Sequence, residues 1–482
     1  MNISKHNVEI VWFWSGAILF LVSLLLGYYI QQPLLVLAAF LPPLLFLFFK
    51  DVRIGFYALL FSIPISINLE ETLRVGVDFP DEPLMLLLTA SFLFFVLYNF
   101  NKINWTYLRN NPLVILVLAS FIWTAISVLY SENPILSSKY LIKKIWYLIP
   151  FFFFPILFFT DTKVLIRSVQ LLLIPMLLLI LLITYRHSLV GFSFEKTHDP
   201  LQPFFQNHVM YGSILSCLLP VSVGAIMLSR KLSIQWLFSL FLLVCILVGV
   251  YLAYSRAAWM AVLFSVMAYF FSKWRLMHFA MLGFYVLVGS GVYWLSNQNK
   301  FLDFKPKFEK TIMHESLEDH IMATIQGTDL SSAERYYRWI ASIRMAKDRP
   351  LTGVGPNNFY DYYKSYTVVS FRTWVSRNPE RSTTHNYFLF MLTEQGIPAM
   401  ILYAILIIAI FWYGQKVYHQ SITKRDQTIV LCALSLVAAV FINNFFSELL
   451  ERDKIGSLFY LSLAAIISVD YRNKTLKTQA PL

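Results

Sequence analysis

Charge is what this sequence has least of. Only 14% of its 482 residues are Asp, Glu, Lys or Arg, against roughly 25% in soluble proteins, while 58% are hydrophobic. That balance excludes a water-soluble globule and leaves an integral membrane protein. Cysteine is nearly missing as well. Cys217, Cys245 and Cys432 each sit inside an apolar run, so neither a disulfide framework nor a thiolate metal site is implied. There is no Walker loop, no GxSxG and no GxGxxG after a strand, so an ATPase, a triad hydrolase and a dinucleotide enzyme are unsupported. No soluble basic domain and no zinc pattern accompany the net charge of +12. The sequence therefore gives no reason to expect nucleic acid, and part of the excess reflects connections that face anionic lipid.

What is present is a succession of apolar runs. A spanning helix needs about 20 mostly apolar residues. Candidate spans are 11–30, 33–49, 52–67, 83–100, 112–130, 145–160, 164–185, 207–228, 234–253, 257–272, 276–296, 386–413, 428–446 and 455–469. The second and third are short and hold Pro42, Pro43 and Pro64, so they read either as two spans or as a re-entrant pair. The fold expected is thus all-α and polytopic, with about 12–14 transmembrane helices. The first run is too long for a signal h-region and lacks a small-residue cleavage site, which makes it a retained span. The chain divides into an N-terminal bundle over 1–296, a polar loop domain over 297–385, and C-terminal helices with a tail over 386–482.

Lys and Arg in the connections set the orientation. With both termini cytoplasmic, the inner connections carry Lys50, Arg53, Lys102, Arg109, Arg230, Lys231, Lys273, Arg275, Lys424 and Arg425, and the tail carries Arg472, Lys474 and Lys477. The acidic connection with Glu70, Glu71, Asp78, Asp81 and Glu82 then falls outside, as does the long interval. The basic residues of that interval do not violate the rule, because long loops translocate largely regardless of charge. Two outer connections depart from the simple pattern: 131–144, with Lys139, Lys143 and Lys144, and 186–206, which is long and aromatic.

Within the long interval, 297–330 is polar and carries Glu315, Glu318 and Asp319. Residues 332–347 read as a helix with Trp339, Ile340 and Ile343 as its apolar stripe. Pro350, Gly353 and Gly355 end it in a turn, and Asn357 to Tyr366 reads as a second short helix. Ser382, Thr383 and Thr384 offer cap hydroxyls for the helix that re-enters the membrane. The interval also concentrates arginine, with Arg335, Arg338, Arg344, Arg349, Arg372, Arg377 and Arg381. A cationic domain between spans suggests an anionic ligand handled at the membrane surface.

Individual residues carry two readings each. Arg256 lies between apolar runs in YSRAAW; it either snorkels at a helix end or turns a guanidinium to phosphate in an outer cavity. Arg338 follows Glu334 by four residues, the spacing of an intrahelical ion pair, whereas Arg335 has Trp339 at that distance and is the better candidate for an external anion. His385 stands where the chain re-enters the membrane. It is either an interfacial hydrogen-bonded histidine or, kept neutral by the positive end of a helix, a general base. Asn386 orients a substrate or the imidazole, or is a cap. His187, His198 and His208 share the outer 186–208 region without HxH or HxxxH spacing, so no metal site is expected; His208 joins the substrate-binding candidates. Lys144, with Lys139 and Lys143, is a supplementary anion contact, and Tyr336, Tyr360, Tyr362 and Trp374 either stack on sugar faces or pack.

Taken together, YSRAAW (254–259), ERYYRW…DRPLTGVGPNNF (334–359) and THNYFLFMLTEQGIPA (384–399) resemble the O-antigen ligase and polymerase superfamily, over about a third of the chain. The resemblance implies an inner-membrane glycosyltransferase of cell-envelope and lipopolysaccharide biosynthesis that needs no cofactor or metal. Such enzymes take a glycan from undecaprenyl-pyrophosphate at the periplasmic face and pass it to lipid A–core, to another lipid-linked glycan, or to protein. The arginine of the SR motif and the loop arginine four residues before a tryptophan are assigned to pyrophosphate, which implicates Arg256 and Arg335. The histidine of the HN motif, here His385, is assigned to acceptor activation. Glu334 and the second arginine, Arg338, depart from the family pattern and leave the acceptor open. Ligase and polymerase remain alternatives. A transporter or flippase for anionic lipid-linked glycans is the alternative from another class; it would predict inverted repeats and matched broken helices.

Overall fold

The computed structural model describes residues 14–15, 17–23, 25–26, 29–30, 51–69, 77–298, 300, 330–373, 376–377 and 383–479. The span expected over 33–49 with Pro42 and Pro43, the acidic residues Glu70, Glu71, Glu315, Glu318 and Asp319, and Trp374, Arg381 and Ser382 lie outside the described residues; 11–30 is described in part.

Two compact units divide the chain. The first comprises 1–103 with 170–175, and the second comprises 104–169 with 176–482. In the first, helix α1 (Val52–Ile65) is followed by a two-residue antiparallel pairing of Ile67–Asn68 with Asp78–Phe79, then by α2 (Asp81–Tyr98). Helix α1 has only 14 residues, short of a full crossing. The carboxylate of Asp81, at the first turn of α2, accepts a 2.7 Å hydrogen bond from Ser66, which ties the two helices at the hairpin.

The second unit carries the candidate site. Its helices are α3 (Pro112–Leu129), α4 (Pro134–Phe158, with a π-helical turn at Ile149–Phe153), α5 (Thr162–Leu189, of which 170–175 group with the first unit), α6 (His208–Leu228), α7 (Ile234–Leu252), α8 (Arg256–Lys273) and α9 (Met277–Ser296). After the polar interval come α10 (Leu330–Asp348), α11 (Phe359–Tyr362), α12 (Tyr387–Gln420), α13 (Lys424–Phe446) and α14 (Asp453–Gln479). Among the described residues, ten helices are long and apolar enough to cross a membrane. The chain is an all-α polytopic membrane protein. Large apolar side chains such as Leu237, Phe241 and Val244 stand exposed along α7, as a lipid-facing helix requires.

Sequence chemistry explains where these helices pack closely. Helix α8 buries Ala258, Ala261, Ser265, Ala268 and Ser272, a row of small side chains that lets α6 and α13 approach its backbone. Gly212 of α6 completes that contact: a Cβ there would lie 3.1 Å from Ala253, Ser255 and Ala258. Starts are set by side-chain caps, Asn133 for α4, Asn207 for α6 and Ser255 for α8.

Several boundaries differ from expectation; the span expected over 455–469, for one, is helical from Asp453 to Gln479. The segment expected as the outer connection 131–144 is helical from Pro134, because Asn133 caps and Pro134 occupies the first helical position. Its lysines therefore sit on the first turns of α4. The helix expected over 386–413 runs on to Gln420, broken at Gly396, whose φ of +82 is left-handed.

Candidate functional site at the loop–helix junction

The polar interval folds onto the heads of the helices through a socket built from glycine. Gly353 (φ +66) and Gly355 (φ +104) adopt left-handed backbone conformations. The turn they make lays Val354 N and Gly355 N on the carbonyls of Thr393 and Glu394, at 3.0 and 2.9 Å. Ile397 N answers by donating to Pro350 O at 2.8 Å. These carbonyls are open to partners because the helix is interrupted at Gly396. A side chain at Gly396 would bring its Cβ to 2.0 Å from Leu351 O. The buried carboxylate of Glu394 then accepts from Asn357 N and Phe359 N at 2.6 and 3.2 Å, starting α11. The GVGPNN and TEQG stretches are thus two halves of one joint.

Helix α10 sits on a core of Tyr337, Ala341, Met345, Val354, Phe359, Tyr363 and Phe371. The expected stripe of Trp339, Ile340 and Ile343 is not its buried face. Ile343 is 43% exposed, and burial follows Ala333, Tyr337, Ala341 and Met345, spaced every four residues. The larger side chains suggested the wrong ridge; tyrosine, alanine and methionine fill the contact. Tyr336, Tyr360 and Tyr362 are partly buried against this core, and Tyr336 meets Trp339 edge-on at 5.8 Å between ring centroids.

Glu334 and Arg338 organise the loop from inside. Both are buried, and their side chains lie 3.4 Å apart. Glu334 also accepts from Thr373 Oγ1 and Ser376 Oγ, while Arg338 donates to Thr383 O at 3.3 Å. Arg338, a substrate-binding candidate by sequence, therefore holds helix to loop. Arg344 donates to Tyr366 O at 3.3 Å, and Arg349 pairs with Glu132, so both are likewise engaged in structure. Arg335 is placed differently. Its guanidinium stands 5.9 Å from the ring centroid of Phe446, the last residue of α13.

His385 occupies the junction. It has φ +52, an uncommon conformation for histidine, which over-determination by neighbours sustains. Those neighbours are visible. Trp339 Nε1 donates to Thr384 O at 2.9 Å, Arg338 holds Thr383, and Asn386 Nδ2 donates to Phe445 O at 3.0 Å. Burial pushes the His385 ring down to about 4; Glu448 opposes this, and the guanidiniums of Arg338, Arg335 and Arg452 reinforce it. The imidazole is neutral at physiological pH, with burial the largest of these causes. Glu448 Oε2 lies 3.8 Å from His385 Nδ1.

Asn386 is the cap of α12, with Oδ1 accepting from Leu389 N at 3.1 Å. Thr384, one of the hydroxyls expected as caps, is used otherwise. Thr384 Oγ1 donates to Asn386 O at 2.8 Å, because the helix begins two residues later than those hydroxyls could reach. Arg256 opens α8, which packs on α13, and it is not among the charged groups that act on His385.

The remaining candidates are spread over other elements. Lys144 donates to Glu451 Oε1 at 2.8 Å and to Tyr140 OH at 3.3 Å, so its ammonium is neutralised in place. Tyr387 OH donates to the same Glu451 oxygen at 2.7 Å. Lys144 lines a cavity of about 40 Å³ with Tyr387, Met391, Gln395, Tyr403 and Tyr460; Arg256, Arg335 and His385 do not line it. Its volume suits a few waters. His208 is the first residue of α6. His187, in the last turn of α5, contacts Ser193 O through Nε2 at 3.2 Å, and His198 contacts Gln202 at 3.1 Å in the connection that follows. The structure thus brings His385, Arg335 and Arg338 together, with Asn386 and Tyr336 adjacent in the chain to His385 and Arg335.

Sequence reasoning missed the connection 447–452, which supplies Glu448, Glu451 and Arg452. The signal was available: SELLER places three charges in the short gap between two apolar helices.

A many-span membrane protein, with a neutral histidine and arginines at the head of a broken helix, is the class that these features define. Residues 241–404 match the family model described as O-antigen ligase. That match spans about a third of the chain, takes in Arg256, Arg335 and His385, and supports the likeness to O-antigen ligases and polymerases. No curated protein matches the chain.

Proposed function

We propose that the protein transfers a glycan from undecaprenyl-pyrophosphate to an acceptor hydroxyl at the periplasmic face of the bacterial inner membrane, in the manner of an O-antigen ligase. The observation that carries this reading is His385: a neutral imidazole in a left-handed backbone conformation beside the charges of Arg335 and Arg338. In this reaction the acceptor oxygen attacks the anomeric carbon and His385 takes its proton. The anomeric C–O bond breaks, and its electron pair leaves with the pyrophosphate, inverting the centre. Arg256 and Arg335 would neutralise the charge that grows on the leaving group, work that guanidiniums suit by their planar, bidentate fork.

Arg338 in this scheme shapes the loop and adds field rather than contact, since its guanidinium serves Glu334 and Thr383. Lys144 balances Glu451. Asn386 starts the helix that carries His385 at its head.

Purified protein given a defined undecaprenyl-pyrophosphate glycan, with lipid A–core in one arm and a second lipid-linked glycan in the other, tests the reading and separates ligase from polymerase. Product in either arm supports transfer. Movement of the donor across a vesicle membrane with no new glycosidic bond in either arm would overturn it.

A further inference from the structure

We propose that Glu448 is the positioning residue for His385: its carboxylate accepts a hydrogen bond from the Nδ1–H of the ring, leaves Nε2 to meet the acceptor hydroxyl, and offsets the imidazolium that forms as the acceptor's proton is taken. This inference rests on the transfer reading above.

Glu448 is buried, 8% exposed, and its Oε2 has no hydrogen-bond partner among the described residues. That same oxygen is the one 3.8 Å from His385 Nδ1. A buried acceptor left without a donor is costly and points to a partner it meets at another stage. The gap exceeds a hydrogen bond, but catalytic contacts are often long before substrate binds and tighten afterwards. The backbone holds the two groups face to face. Asn386, next after His385, donates from its side chain to Phe445 O, three residues before Glu448. On the far side, Leu450 N donates to Asn444 Oδ1 at 3.0 Å, and Lys144 and Tyr387 grip Glu451, so the connection carrying Glu448 is fixed at both ends.

Charge makes the need plain. His385 is surrounded by Arg338, Arg335 and Arg452, all of which oppose protonation, and Glu448 is the acid acting against them. Burial, with that field behind it, keeps the base neutral at rest, and both would resist its becoming a cation during transfer. A carboxylate on Nδ1 resolves the conflict, as the third member of a catalytic triad does for its histidine. The proton passes from acceptor oxygen to Nε2, Nδ1–H stays on the ring, and Glu448 remains a carboxylate throughout.

The test uses full-length protein in lipid nanodiscs, with ¹⁵N-labelled histidine and the His385 signal assigned by its loss in His385→Asn. In the unsubstituted protein the ring is expected as the Nδ1–H tautomer. In Glu448→Gln the tautomers should mix and the titration move to lower pH, since the arginines then act unopposed. Turnover should fall about 10²–10⁴-fold, with donor binding changed by less than about twofold. Glu448→Asp should recover part of the turnover. Unchanged titration and tautomer in Glu448→Gln would overturn the proposal, as would a loss of donor binding equal to the loss of turnover. The spectroscopic arm stands apart from the functional reading: no transfer by unsubstituted protein sinks that reading, whatever the ring does.

Discussion

Trp339 gives its indole N–H to the carbonyl of Thr384, the residue immediately before His385. The tryptophan that marks the loop arginine in sequence is thus a strut for the histidine's backbone. Trp339→Phe keeps the ring edge against Tyr336 and removes the donor. It should cost about 0.5–1.5 kcal/mol of stability, and lower turnover more than donor affinity. A thermal melt beside steady-state kinetics would show this; equal losses of turnover and affinity would contradict it.

Arg335 and Arg338 should separate by the kind of damage they do. Arg335→Ala should lower transfer about 10²–10³-fold with a smaller loss of melting temperature than Arg338→Ala, and Arg256→Ala should behave alike. Arg338→Ala strands the buried carboxylate of Glu334 and should cost about 3–5 kcal/mol of stability, with the smaller effect on turnover per folded molecule. Melting curves and active-site-normalised rates decide. Chelation by EDTA should leave the unsubstituted protein's transfer rate as it was.

The ring of His385 sets two pH dependences. Its folded value is about 4, below the ordinary histidine value. Between roughly 6.5 and 4 the unfolded chain binds the proton and the folded one does not. Stability is therefore lost as pH falls through that window, and His385→Asn should lose less. Transfer should hold its plateau down to about pH 5 before falling, whereas an unperturbed histidine would already halve it near pH 6.5. Melting temperatures and a pH–rate profile check both.

Gly396→Ala should be severe. It combines a φ of +82 with a Cβ that would meet Leu351 O at 2.0 Å, so Pro350 and Leu351 must leave the helix break. A loss above about 2 kcal/mol is expected. Gly283→Ala, where a Cβ meets nothing within 4 Å, is the control. Equal melting temperatures for the two would refute the joint.

Much of this was legible in the residues. Spans such as 112–130, 207–228 and 234–253 reappear within about two residues, because a lipid-crossing run must be long and uniformly apolar. The Glu334–Arg338 pair followed from spacing alone, since residues four apart share a helix face. What eluded the sequence was anything joining distant segments. Nothing local tells Gly355 that its partner is the carbonyl of Glu394, or Lys144 that Glu451 awaits it. The stripe on α10 failed for a related reason: which ridge is buried depends on the aromatic floor from 354–371, not on residue size. The neutrality of His385 was anticipated from the helix end; the burial that also lowers it has no linear signature.

The seating of the 353–355 turn in the interruption at Gly396 also governs how this architecture can be recombined. A loop transplanted from a relative carries only the peg, while the hole stays behind in the host's helix. Chimeras that exchange 330–384 alone would inherit mismatched pieces, and grafts extended through Ile397 would bring both. Domain shuffling in such proteins must therefore cut beyond the hinge, not at the point where the chain re-enters the bilayer.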